Sequence, residues 1–152
     1  MSALVESTQP VSMNLVTHIR LATQDDLNEL NEKDRIPEAE LAAILGQSRI
    51  LVAEDGYRDG VVGWLRWGRL WDEVPFMNRL HVDETRRGEG VGRLLVSEWE
   101  RASRRDGHAT VMTSTLSAES AQHFYRRLGY TDAGCLFLPG ESAEIFFIKQ
   151  IG

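Results

Sequence analysis

The stretch "RRGEGVGRLL", Arg86 to Leu95, sets Gly88, Gly90 and Gly92 at every second position and then turns abruptly apolar. Just upstream, "FMNRLHV" (Phe76 to Val82) reads as a strand. Downstream, Val91, Leu94, Leu95, Trp99 and Ala102 recur at helical spacing. A strand, a glycine loop and a helix start in succession make an anion site. The first amides of a helix lack intrahelical partners, the helix dipole adds partial positive charge, and glycine keeps Cβ atoms out of the ligand's way. Arg86 and Arg87 bring charge to the rim and suit phosphate oxygens. A pyrophosphate is the natural occupant. A P-loop would need Gly-Lys-Ser/Thr, but Gly92 is followed by Arg93 and Leu94. A dinucleotide fingerprint would need glycine where Arg93 stands.

The rest of the chain reads as one domain around this unit. Its 152 residues are 42% hydrophobic and 26% charged, as in ordinary globular proteins, with no apolar run long enough for a membrane span. The formal charge of −6 argues against a nucleic-acid binder. A lone cysteine, Cys135, rules out an intrachain disulfide and fits a reducing cytoplasm. The opening "MSALVESTQPVSMNLV" lacks the basic and apolar regions of a signal peptide, so residues 1–13 are expected as a flexible tail and 14–152 as the domain. The four histidines show no metal-ligand spacing, and no metal is expected.

Further elements frame the glycine loop. "VTHIRLA" (Val16 to Ala22) alternates like a strand, and Thr23 with Asp26 resembles a capping box before a helix carrying Leu27 and Leu30. A second helix is expected from Pro37 to Gly46. "RILVAE" and "VVGWLRWG" flank "DGYRDG", a hairpin signal. After the long helix come a strand at Ala109 to Thr115, a helix ended by Gly129 and a last strand at Ala143 to Gln150. The order predicts an α/β domain: one mixed, mostly antiparallel sheet flanked by helices, with a parallel crossover at its centre.

The string "RGEGVG", Arg87 to Gly92, matches the Arg/Gln-x-x-Gly-x-Gly/Ala signature of the GNAT-type N-acetyltransferases, and "SAQHFYRRLGY", Ser120 to Tyr130, is similar to that family's second landmark. The resemblance covers roughly Val16 to Ile151. It implies acetyl-CoA as co-substrate, a primary amine on a small molecule or peptide as acceptor, and dimerisation as a common family habit. It places the cofactor against Leu80, His81, Val82, Arg87, Gly88, Glu89, Gly90, Val91, Gly92 and Arg93. One departure is visible: Ser117 to Ser120 stand where many members carry a CoA-binding asparagine, and the hydroxyl of Ser117 or Ser120 is the expected substitute.

The chemistry implied sets further demands. An alkyl ammonium costs about 4 to 5 kcal/mol to deprotonate at pH 7, so a base or proton wire is needed. A departing thiolate benefits from a general acid and the oxyanion from an amide donor. Tyr125 matches the family's acid, the donor is expected from Leu80 or His81, and Glu73 on the loop "WDEVPFMN" is the favoured base. Trp64, Trp67 and Trp71 serve either as hairpin packing or as an aromatic wall for the acceptor. The competing function is a regulatory module that binds acyl-CoA without turnover.

Overall fold

The computed structural model describes residues 17–56 and 60–152. The expected tail over 1–13, the start of the domain at 14, Val16 of the first strand and the turn residues 57–59 lie outside the described residues. Seven strands and four α-helices are described: β1 (Thr17–Leu21), α1 (Leu27–Lys33), α2 (Glu38–Gly46), β2 (Ile50–Asp55), β3 (Val61–Leu70), β4 (Val74–Val82), α3 (Val91–Arg105), β5 (Thr110–Leu116), α4 (Ala121–Arg127), β6 (Thr131–Leu136) and β7 (Glu144–Gln150). The strands form one sheet in the order β1-β2-β3-β4-β5-β7-β6. All neighbours are antiparallel except β4 and β5, which are parallel and joined by the α3 crossover, as the element order predicts.

Local signals act much as read. The Asp26 carboxylate accepts the Thr23 main-chain N–H at 2.7 Å, opening a 3-10 turn that leads into α1. Pro37 caps α2 from just outside it. Gly129, with φ +93°, lets the chain reverse after α4, and the Tyr130 N–H returns to the Tyr125 carbonyl at 3.1 Å. One strand, β6, was not expected. Its sequence "TDAGCL" lacks the alternating apolar face that marks a half-buried strand, because all its residues are exposed.

Two apolar layers sandwich the sheet. On one face Val91, Leu95 and Trp99 of α3 and Tyr125 of α4 pack on Leu65, Met77, Val111 and Phe147. On the other, Leu27 and Leu30 of α1 and Leu41 and Leu45 of α2 cover Ile50, Val52 and Trp64. Each such fully buried large side chain contributes roughly 1.5 to 3 kcal/mol. No helix among the described residues is long and apolar enough to cross a membrane.

A buried acid ties the second layer down. Asp34, between α1 and α2, accepts Trp64 Nε1–H at 2.9 Å, Arg66 Nε–H at 2.8 Å and Nη2–H at 3.2 Å, and the Arg35 N–H at 2.8 Å. Burial by itself would raise its carboxyl, but Arg66, Trp64 and the amide outweigh that and hold it below the ordinary 3.8.

Candidate functional site

The site begins where two strands part. The parallel pairing of β4 with β5 covers only Phe76↔Met112 and Met77↔Thr113, and a register shift in β4 follows at once, opposite Arg66 and Trp67. Among the described residues, no strand pairs with the β5-facing edge of β4 beyond Met77. Main-chain parity then decides which groups face the gap. The Asp83 N–H donates to the Val62 carbonyl at 2.8 Å, and antiparallel pairs alternate, so His81 and Arg79 spend their main-chain groups on β3. Leu80 and Val82 therefore turn theirs toward the gap. Of the two expected amide donors, Leu80 faces the opening and His81 does not.

A cavity of about 680 Å³ occupies this end of the sheet. Leu80, His81 and Val82 line it from β4, Arg86, Arg87, Gly88 and Gly90 from the loop, and Val91, Gly92 and Arg93 from the start of α3. Ser120, Ala121, Phe124, Tyr125 and Arg127 close it from the α4 side. Gly88 and Gly90 hold left-handed φ values of +78° and +86°, and a Cβ at either would meet nothing within 4 Å. The loop backbone thus borders open space, which is what a cradle for a bulky anion requires. Gly92 is closer-packed: its absent Cβ would lie 3.5 Å from the Phe124 ring.

Three expected contributors sit otherwise than read. Arg86 is not a rim charge: it is 4% exposed and is bonded through Nη1 to Asp55 and through Nε to Glu89 at 2.6 Å. Glu89 accordingly directs its carboxylate at Arg86, and it does not line the cavity. Arg87 is exposed, donates from Nε to the Val82 carbonyl at 3.0 Å and is left as the rim cation beside Arg93. Ser117 also stays outside the cavity, its N–H on the Ala143 carbonyl at 2.7 Å and its carbonyl accepting Gln122 Nε2–H at 2.8 Å; Ser120 lines the wall instead.

Glu73 is not brought to this place. It is exposed at the turn joining β3 to β4, seven positions before Leu80 along an extended strand, on the order of 20 Å away. The tryptophans are mostly packing: Trp64 is buried with its indole on Asp34, Trp67 packs against the α3 layer, and only Trp71, at the same turn as Glu73, is exposed.

Two titratable groups in the wall hold complementary protonation states. Tyr125 is 7% exposed, its ring edge-on to Phe124 and Tyr130 at centroid distances of 5.4 and 5.9 Å. Burial pushes its phenol up to about 12, with the Glu119 charge adding and the Thr113 hydroxyl and Arg79 opposing. It keeps its proton at neutral pH. His81 stacks on Trp64 at 4.4 Å, with Nε2 3.8 Å from Asp83 Oδ1. Burial, then the charges of Arg79, Arg87 and Lys33, lower its imidazole below 6.5 against the pull of Asp83. It is neutral at pH 7.

Sequence reasoning passed over Ala121, Phe124 and Arg127 in this wall and Arg79 beside it. The motif that singled out Tyr125 contains the first three, and a helix turn spacing from Tyr125 would have marked Ala121.

The chain matches the model of the Acetyltransferase (GNAT) domain over residues 46–132, more than half its length. Among solved structures, an acetyltransferase of the GNAT family from Bacillus cereus ATCC 10987 superposes with a TM-score of 0.75 at 19% identity, covering 89% of this chain and 97% of that one. The ribosomal-protein-S18-alanine N-acetyltransferase from Escherichia coli superposes at 0.74 with 16% identity over 90% of this chain and 95% of that one. The protein yncA of Salmonella typhimurium, solved with its cofactor acetyl-CoA, superposes at 0.72 with 18% identity over the same shares, 90% and 95%. These likenesses establish the fold. No curated protein matches the chain.

Proposed function

Since the chain belongs to the GNAT acetyltransferase family, we propose that it moves an acetyl group from acetyl-CoA to a primary amine by direct attack within the gap between β4 and β5. The observation that carries this reading is the coincidence, in one cavity, of a glycine-loop helix start, an inward-facing Leu80 amide and a protonated Tyr125. The open space at Gly88 and Gly90 fits a pyrophosphate, with Arg87 and Arg93 as its rim charges. Acetyl-CoA supplies the activated acyl carbon and a thiol leaving group. The Leu80 N–H donates to the acyl oxygen as negative charge grows there, a role worth roughly 3 to 4 kcal/mol in comparable sites. Tyr125 donates a hydrogen bond from its phenolic O–H to the departing sulfur as negative charge grows there. Neutral His81 takes the proton that the amine must lose, and Asp83 steadies the resulting charge.

A regulatory module without turnover is less well supported, because the family model that matches is that of an acetyltransferase. The test is a panel of amines assayed for release of free CoA thiol, beside calorimetric titration of acetyl-CoA. Binding with amine-dependent thiol release is expected. Binding with no release for any amine would favour the regulatory module, and absence of binding would overturn both.

A further inference from the structure

We propose that Arg79 reads the acceptor, pairing with a carboxylate carried by the amine that is acetylated. The proposal rests on the acetyl-transfer reading above and adds the substrate class. Strand alternation places Arg79 on the face of β4 opposite the one that meets α3. Leu80 and Val82 pack with the α3 layer, while His81 stacks on Trp64 in the α1 and α2 layer, and Arg79 shares the side of His81. Arg79 does not line the cofactor cavity. His81, two positions on and on the same side of β4, does line it, so Arg79 stands just past the cavity wall on the side from which the amine is proposed to enter. It is nonetheless near enough to the reacting centre for its charge to act on both the Tyr125 phenol and the His81 imidazole.

What marks Arg79 is its lack of a partner. Its Nε is buried without any hydrogen bond, and among the described residues no acid lies within ion-pair distance of it. Its cross-strand neighbour is Arg66, a like charge at a directly paired position. Like charges opposite one another destabilise a sheet, and Arg66 has already engaged Asp34 at 2.8 Å. The side chain as a whole is half-buried, but its buried Nε–H is an unmet donor, which is costly. An anion arriving with the substrate would supply the counterion that this guanidinium lacks among the described residues. The outer guanidinium edge, Nη1 and Nη2, presents two parallel donors, which match the two oxygens of a carboxylate.

The test compares the standard amino acids, each beside its own carboxamide, and phosphoethanolamine, as acceptors for wild type, Arg79→Met and Arg79→Lys. Thiol release reports turnover, calorimetry reports acetyl-CoA affinity and thermal melting reports folding. For wild type, one or more amino acids should exceed the matching carboxamide in kcat/KM by roughly 10- to 100-fold. Arg79→Met should abolish that preference, chiefly through KM, while acetyl-CoA affinity stays within twofold. Arg79→Lys, which keeps the charge and safeguards against a folding defect, should retain a reduced preference. Equal use of acids and carboxamides by the wild type, a preference that survives Arg79→Met, or phosphoethanolamine outranking every amino acid would each overturn the carboxylate assignment. So would acetyl-CoA binding with turnover on none of the carboxylate-bearing amines. Failure to bind acetyl-CoA at all would instead overturn the acetyl-transfer reading beneath it.

Discussion

Replacing Tyr125 by phenylalanine removes one oxygen from a ring whose position Phe124, Tyr130 and Phe147 already fix. The fold and the acetyl-CoA affinity should therefore change little. The loss in rate follows from the environment of the phenol. Burial holds it at about 12, whereas a departing thiol has a value near 8.5, so complete proton transfer is uphill by roughly 5 kcal/mol. Tyr125 then acts mainly as a hydrogen-bond donor to growing negative charge, an interaction of about 1.5 to 3 kcal/mol. That corresponds to a fall of roughly 10- to 150-fold in the chemical step, short of what a donor matched in acidity to the sulfur supplies. Single-turnover thiol release with an accepted amine is the appropriate assay, since slow product release would hide part of the effect. A rate equal to wild type would make Tyr125 a packing residue. A fall beyond about 10⁴ with unchanged melting would contradict the hydrogen-bond account and require full proton transfer.

Four more substitutions have expected outcomes that follow from the structure. Arg87→Ala should weaken acetyl-CoA binding more at low salt than at high salt, while Arg86→Ala should lower stability by roughly 1.5 to 3 kcal/mol by removing the charged hydrogen bonds that Asp55 and Glu89 accept from it; calorimetry and denaturant titration separate the two. Gly90→Val, whose side chain would project into open space at φ +86°, should cost about 1 to 2 kcal/mol of folding yet abolish acetyl-CoA binding, and an unchanged affinity would refute the cradle. Asp34→Ala should cost roughly 3 to 5 kcal/mol by leaving Arg66 and the Trp64 indole unpartnered. Because the folded Asp34 carboxyl lies below 3.8, its contribution is present above the unfolded value and disappears as the pH falls through the folded one, so the acid-unfolding limb of this variant should be flatter.

The long-range plan was legible wherever a local rule had one structural consequence. Three alternate glycines before an amphipathic run can hardly be anything but a loop feeding a helix, and that unit locates the cavity. Arg86 shows the limit: adjacent arginines look alike in sequence, and only the 3-10 turn after Val82 rotates one inward to Asp55 and leaves the other at the rim. Leu80 and His81 were inseparable for a similar reason, since which of two neighbours faces the gap depends on register with β3. Glu73 was a guess from loop chemistry, and the straight run of β4 carries it away. Arg79 could have been noticed as the only charge inside "FMNRLHV", but its lack of a partner is a property of the assembled sheet.

The two-residue seam between β4 and β5 has a consequence for amide exchange with solvent. Among the described residues, strands β1 to β4 and strands β5 to β7 are joined through main-chain pairing only at Phe76 and Met77, reinforced by the Thr113 hydroxyl on the Met77 carbonyl at 3.0 Å. Past that stitch the Leu80 and Val82 amides lack the shelter that interior strands normally provide, so deuterium should enter a central strand there faster than at the sheet's paired positions. A bound occupant lying along that edge would stand in for the missing strand. Its presence would slow exchange at those two amides and at the facing ends of β5 together, and at saturation of 100 times its dissociation constant would raise global stability by about 2.7 kcal/mol. Past Met77 the sheet would then be mechanically continuous only while loaded.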